Sequence, residues 1–364
     1  EAADARYLKA QELLVESLGE DHINLSLSYL PHADTLYRLG DYERTQQVGN
    51  QAADILAKHI GEDNLYTRLA RSTALLGQAE LDPQSVRASV REQTDRAEAV
   101  MRDAILSAEG WNQTASNMRL SLNQLVLTAL TAGESDAAFK AIQMNALSSV
   151  SEADQRRALS RALDDPDGAA LAERLKDAQQ QRQTLRSELT IALSQGQTSG
   201  TLQARLAELD EQIDTLSRRF FADGDTGALL GLSDLSDIQA ALTDGEALLM
   251  PLTMFRAEAL MITNDAVYHS RGERDSALIR ESDRAFAETL SGDAPITPDH
   301  PFLSELADGL FNQVTMERIS HINVVGALPA SSVPLSVVQD PVEPDQFLGQ
   351  RISITRLPSA AALL

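Results

Sequence analysis

The chain of 364 residues contains no cysteine. That removes disulfides, thiolate metal sites and a thiol nucleophile from this sequence. It leaves the compartment open, cytoplasmic or periplasmic, because a cysteine-free chain folds equally well in reducing and oxidising surroundings. Aromatic residues are only 4% of the chain against 43% hydrophobic residues in all. This favours a core of packed Leu and Ala helices over an all-β sandwich, whose strands are rich in aromatics. Positive charge is also scarce: 31 Lys and Arg face 54 Asp and Glu, a formal net charge of −23. Such a surface repels phosphate backbones and anionic lipid, and no basic stripe compensates locally, so nucleic acid and membrane are disfavoured as partners. No apolar run approaches the roughly 18 residues a membrane helix needs. Also missing are an HExxH zinc spacing, a GxSxG nucleophile elbow and a phosphate-cradling glycine loop, so no metal or cofactor is expected. The first residue is Glu1. Removal of a signal peptide and excision of a fragment both fit that start.

What is present begins with an echo. "LGEDH" occupies Leu18–His22 and "IGEDN" occupies Ile60–Asn64, an offset of 60 − 18 = 42 residues. The intervening segment divides at "LGDY", Leu39–Tyr42, into two helical halves. Gly40 is placed to end the first half because it tolerates a positive φ. In the second half Val48, Ala52, Ile55 and Leu56 keep helical spacing. A fixed period built from a helix pair predicts a helical solenoid. Pro31 falls inside the first helix, where a missing N–H should kink it.

Helical stripes continue over Ser85–Ser107 and Ser116–Ala132, and again after a turn at Gly133 with Phe139 and Ile142. "DDPDG", Asp164–Gly168, hints at a calcium loop, but Leu163 and Arg174 stand at its first and last ligand positions and break the pattern. Two longer helices follow, one carrying Leu171, Leu175, Ala178, Leu185, Leu189 and Ala192, the other Leu202, Leu206, Leu209, Ile213, Leu216 and Phe220. "SQGQTSG", Ser194–Gly200, joins them into a hairpin with a coiled-coil-like seam. The pattern then changes. Ala247–Leu252 reads as a buried strand, and Ala257–Thr263 and Ala266–Ser270 complete a meander. Ser276–Leu290 and Pro301–Phe311 read as helices, and Ile322–Val325 and Ile352–Thr355 as strands of one sheet.

Three segments result: a helical repeat region over 1–150, a hairpin connector over 151–222 and an α/β domain over 223–364. The class is α + α/β. The first segment resembles tetratricopeptide repeats of the 42-residue kind, with Ala33 and Ala52 at small packing positions. Thr45 and Gly49 depart from it, standing where that family has Ala and a bulky apolar residue. "DGEALL" (Asp244–Leu249), "INVVGALPASSVPLSVV" (Ile322–Val338) and "FLGQRISITRLPSAAAL" (Phe347–Leu363) resemble, in order and spacing, the N-terminal half of a CHAT domain. That family comprises the caspase- and separase-like peptidases associated with tetratricopeptide repeats. "AAFKAIQMNALSSV" (Ala137–Val150) resembles the segment that joins repeats to the domain in bacterial members. Gly326 and Ala327 stand where the family often has Pro-Asp, and no Phe follows Pro334.

The resemblance implies a helical solenoid, a hairpin and a partial caspase-like sheet domain. It also implies a His and a Cys at two later strand ends, both outside this sequence, since a thiol near its usual pKa needs a neighbouring His to activate it. No catalytic residue is therefore expected in this chain. His321 opens a strand but matches the family's earlier, non-catalytic one, and Ser331 and Ser332 read as turn formers. The expected role is recognition and scaffolding, with a protein or peptide partner on the repeats and a second fragment able to carry the dyad. A non-catalytic adaptor or sensor is the alternative. If Gly40 marks the turn, Asp34 and Tyr37 fall either on the partner-binding concave face of the array or against the preceding helix.

Overall fold

The computed structural model describes residues 2–62, 64–105, 111–146, 166–194, 200–222, 232–290, 295–326, 328, 330 and 333–364. Ser331, Ser332, residues 163–165 of the calcium-like stretch and most of Ser194–Gly200 lie outside that set. The chain is mostly helical, with one mixed sheet of five strands near its C-terminal end.

Seven helices come first: α1 (Ala2–Leu18), α2 (Ile23–Arg38), α3 (Tyr42–Ile60), α4 (Leu65–Leu81), α5 (Arg87–Ile105), α6 (Trp111–Ala132) and α7 (Ser135–Ala146). The 42-residue echo has a structural counterpart. Gly19 and Gly61 both adopt φ of 88°, a conformation that costs glycine little. Three residues after each, His22 and Asn64 cap the next helix, accepting from the backbone N–H of Asn24 and Tyr66. "LGDY" is a compressed stop and start. Gly40 and Asp41 donate back to the carbonyls of Tyr37 and Leu36, and the Asp41 side chain then caps α3. α2 contains Pro31 and still runs from Ile23 to Arg38, with Thr35 Oγ1 donating to the Pro31 carbonyl at 2.9 Å.

Gly49 answers for itself through packing. A Cβ built there would meet the Ala74 backbone nitrogen at 2.8 Å, and one on Gly77 would meet the Tyr42 carbonyl and Gln46 nitrogen at 2.8 Å. The backbones of α3 and α4 approach too closely for a side chain at either crossing position. A bulky residue at position 49 is excluded on that ground.

The later elements are α8 (Pro166–Ser194), α9 (Gly200–Ala222), α10 (Leu235–Ala241), β1 (Glu246–Thr253), β2 (Arg256–Thr263), β3 (Val267–Asp275), α11 (Ser276–Leu290), α12 (Pro301–Phe311), β4 (His321–Val325), α13 (Leu348–Arg351) and β5 (Ser353–Leu357). The strand order is β3-β2-β1-β4-β5. β1–β2 and β2–β3 are antiparallel, whereas β4 runs parallel to both β1 and β5, with Ile322 opposite Ile354. The two strands expected in one sheet are thus adjacent in it. On one face Leu249, Ala259, Met261, Ile322 and Val324 pack against Phe302, Leu306 and Leu310 of α12 and Phe286 of α11. On the other face Leu248, Met250, Leu260 and Ile262 are also buried. Burial of both faces is why β1 reads as an apolar run, not as an alternating strand.

The chain forms two compact units that cut across the three sequence segments. One unit comprises Glu1–Thr94, Arg119–Ala146 and Ser233–Leu364, and therefore holds α1–α4, α7 and the sheet. The other comprises Asp95–Met118 and Leu147–Leu232. Within it α8 and α9 pack as a hairpin through Leu175, Ala178, Leu185, Leu209, Ile213 and Leu216, the seam the heptad-like spacing predicts.

Candidate functional site

The helical array and the sheet meet through a buried polar cluster inside the first unit. Glu258 of β2 lies opposite Arg271 of β3, one step from His269. Strand alternation places these residues with Leu260, on the sheet face away from α12. Glu258 is only 1% exposed and accepts from His269 Nε2 at 3.0 Å. Arg271 Nε stands 3.5 Å from Glu258 Oε1, an ion pair in which neither atom makes a hydrogen bond among the described residues. The far end of Arg271 crosses to the helices. Nη1 donates to Glu80 of α4 at 2.9 Å and Nη2 donates to the Tyr37 hydroxyl of α2 at 2.9 Å. Tyr37 completes the ring by donating to Glu80 at 2.6 Å.

An apolar collar surrounds these charges. Tyr37, Leu76 and Leu127 cluster with Tyr42, Met254 and Phe255, the last two from the β1–β2 turn. The Tyr37 and Phe255 rings lie 4.8 Å apart. Arg38 places its guanidinium 4.7 Å from the Phe255 centroid and donates to Asp34 at 3.0 Å and Asp275 at 2.7 Å. Burial pushes the Tyr37 phenol well above its ordinary range, so the group stays protonated and serves as a donor. For Arg271, burial works against the charge, but the carboxylates of Glu258 and Glu80 outweigh it and hold the guanidinium protonated.

This geometry ties two layers together. Of the two residues expected at a partner surface, Asp34 is half-exposed and held by Arg38. Tyr37 is 3% exposed and contacts Glu80 of α4, Arg271 of β3, Tyr42 of α3 and Phe255 of the β1–β2 turn. Sequence reasoning passed over Glu80, Glu258 and Arg271 altogether. The one available signal was the placing of Glu258 in an otherwise apolar strand.

Three further histidines, His22, His300 and His321, have partners of their own. His22 caps α2, and His300 caps α12 by accepting from the Phe302 N–H at 3.3 Å. His321 lies 2.7 Å from Ser353 Oγ, at the start of the parallel strands, and that hydroxyl also donates to the Ser320 carbonyl at 3.1 Å. Among the described residues no group of three or more His, Asp or Glu side chains could hold a metal ion, and no helix is long and apolar enough to cross a membrane. Comparison with known families, curated proteins and solved structures returns no match to this chain.

Proposed function

We propose that this chain is a recognition and scaffold unit, in which the helical array receives a protein or peptide partner and the sheet passes the effect onward. The observation that supports the reading is the Tyr37–Glu80–Arg271–Glu258 cluster. A shift of α2 or α4 on binding has to break charge-assisted bonds to β3 or carry the strand along. On the resemblance of Asp244–Leu249, Ile322–Val338 and Phe347–Leu363, the unit belongs to a CHAT-type cysteine endopeptidase. The array is then a tetratricopeptide-like solenoid and the sheet part of a caspase-like domain that supports a His/Cys dyad outside this sequence. That finer reading rests on those stretches alone.

The second reading is a non-catalytic adaptor or sensor with a degenerate domain of the same type. The purified chain is expected to leave peptide substrates intact. Thiol-independent cleavage by it would overturn the scaffold reading. Reading the coding sequence beyond Leu364 separates the two alternatives. A His and a Cys at the ends of two strands support the peptidase, and their absence supports the adaptor.

A further inference from the structure

α1 is attached by polar groups. Gln11 is the one buried residue of its 17, with Asp4, Tyr7, Leu14 and Val15 half-buried. By contrast α3 buries Val48, Ala52, Ala53, Ile55 and Leu56 among others, and α4 buries a comparable set. Three residues of α1 converge on His32 of α2, which is 0% exposed. Asp4 Oδ1 lies 2.8 Å from His32 Nε2, and Gln11 Nε2 lies 3.0 Å from His32 Nδ1. The Tyr7 ring stacks on the imidazole at 5.2 Å. A neutral imidazole with its proton on Nε2 satisfies both bonds, donating to Asp4 and accepting from the Gln11 amide. Arg44 of α3 adds Nη2–H and Nη1–H bonds to the same carboxylate at 2.8 and 3.2 Å.

Asp4, Tyr7 and Gln11 stand at i, i+3 and i+7, a single stripe of a helix. The receiving side is chemically selective. It asks for an anion between His32 and Arg44, a flat ring over the imidazole and an N–H donor at Nδ1. One turn before His32 on α2, the Ser28 hydroxyl is buried with no hydrogen-bond partner among the described residues, a group that α1 leaves unused. Segments with few buried apolar contacts open at lower cost than packed ones.

We propose that α2 and α3 form a helix-recognition site, occupied here by α1, which accepts in its place a partner helix carrying a carboxylate, an aromatic ring and a side-chain amide at i, i+3 and i+7. The proposal rests on the reading of the array as the partner-binding part and names its site and the class of ligand. It holds for the peptidase and the adaptor alike.

The test uses the whole chain, with a fluorescent peptide of residues 1–22 as the probe. Asp4→Ala in the chain weakens the resident helix. It is expected to raise peptide affinity and the hydrogen exchange of α1 amides at least tenfold each, with α3 amides unchanged. Asp4→Ala in the peptide, tested against the Asp4→Ala chain, is expected to lower affinity at least tenfold without touching the fold of the chain. Two results would overturn the proposal: no saturable binding to the Asp4→Ala chain, or α1 amides as protected as those of α3 in both chains. Dimerisation of the Asp4→Ala chain in light scattering, with α1 exchanged between copies, would assign the site to a second copy and likewise overturn it. The scaffold reading is judged by the cleavage assay and the downstream sequence, so either can fail without the other.

Discussion

Arg271 of β3 donates to the hydroxyl of Tyr37 on α2 across 2.9 Å, joining positions 234 residues apart. The bond closes a ring with Glu80, and the same guanidinium faces the carboxylate of Glu258 beneath it. One cation thus holds two carboxylates and a phenol between a helical array and a sheet.

Removing that cation should be costly. Arg271→Ala leaves Glu258 and Glu80 without it, and breaking a buried pair from one side typically costs about 3–5 kcal/mol. Because Arg271 is 24% exposed, the lower end of that range, about 3 kcal/mol, is expected. Tyr37→Phe removes only the hydroxyl bonds, both to charged groups, and should cost about 1.5–3 kcal/mol. The double variant should lose less than the sum, since both changes act on one network. Urea unfolding of the four proteins measures all three quantities.

The α3–α4 crossing makes a prediction of opposite sign to helix propensity. Alanine is favoured over glycine in a helix by about 1 kcal/mol, yet Gly49→Ala would set a Cβ 2.8 Å from the Ala74 nitrogen. Overpacking of this kind costs about 1–3 kcal/mol, and the contact is with backbone, which cannot rotate aside. Gly49→Ala should therefore lower the thermal midpoint, and an unchanged or raised midpoint would show that the helices can separate without loss.

Asp4 gives a pH dependence. Hydrogen bonds from Arg44 and His32 hold its carboxyl at about 2, against about 3.9 in an unfolded chain. A depressed folded pKa stabilises above the unfolded value and is lost as pH falls through the folded one. Attachment of α1 should therefore be complete above pH about 4 and weaken towards pH 2. Exchange of α1 amides followed across that window should show the loss, and the Asp4→Ala chain should lack it.

A second buried pair fixes the loop before β5. Asp340 is 0% exposed and receives Arg351 Nε at 2.6 Å and Nη2 at 2.9 Å, while Nη1 donates to the carbonyls of Met316 and Ile319. Burial alone would raise the Asp340 pKa, but Arg351 and the backbone N–H groups of Val342 and Glu343 overcome it and hold it low. Arg351→Ala should cost about 3–5 kcal/mol. Arg351→Lys should recover only part, because an ammonium cannot reproduce the planar fork. Chemical denaturation distinguishes the three proteins.

Much of the local structure was legible in the sequence. Helices α11 and α12 begin and end where their periodicity places them, and "LGDY" carries the stop of one helix and the cap of the next. Such features depend on residues a few positions apart. Tyr37 was not legible in the same way. Its helical position is compatible with a surface or an interior, and the residues that bury it, Glu80, Phe255 and Arg271, are remote in sequence. Gly49 looked like a departure from a repeat pattern until its neighbour Ala74 was in place. α1 carries no strong apolar stripe, because what attaches it is a polar stripe read by one histidine.

The sequence by itself determined the helical character of the first half and the turn to strands after residue 245, both of which follow from short-range propensity and composition. Only the tertiary structure decided the strand order, the grouping of the array with the sheet and the placement of Tyr37 against Arg271. Those outcomes depend on which distant surfaces bury each other. A buried charge is tolerated only where its partner arrives, and that arrival is a property of the whole fold.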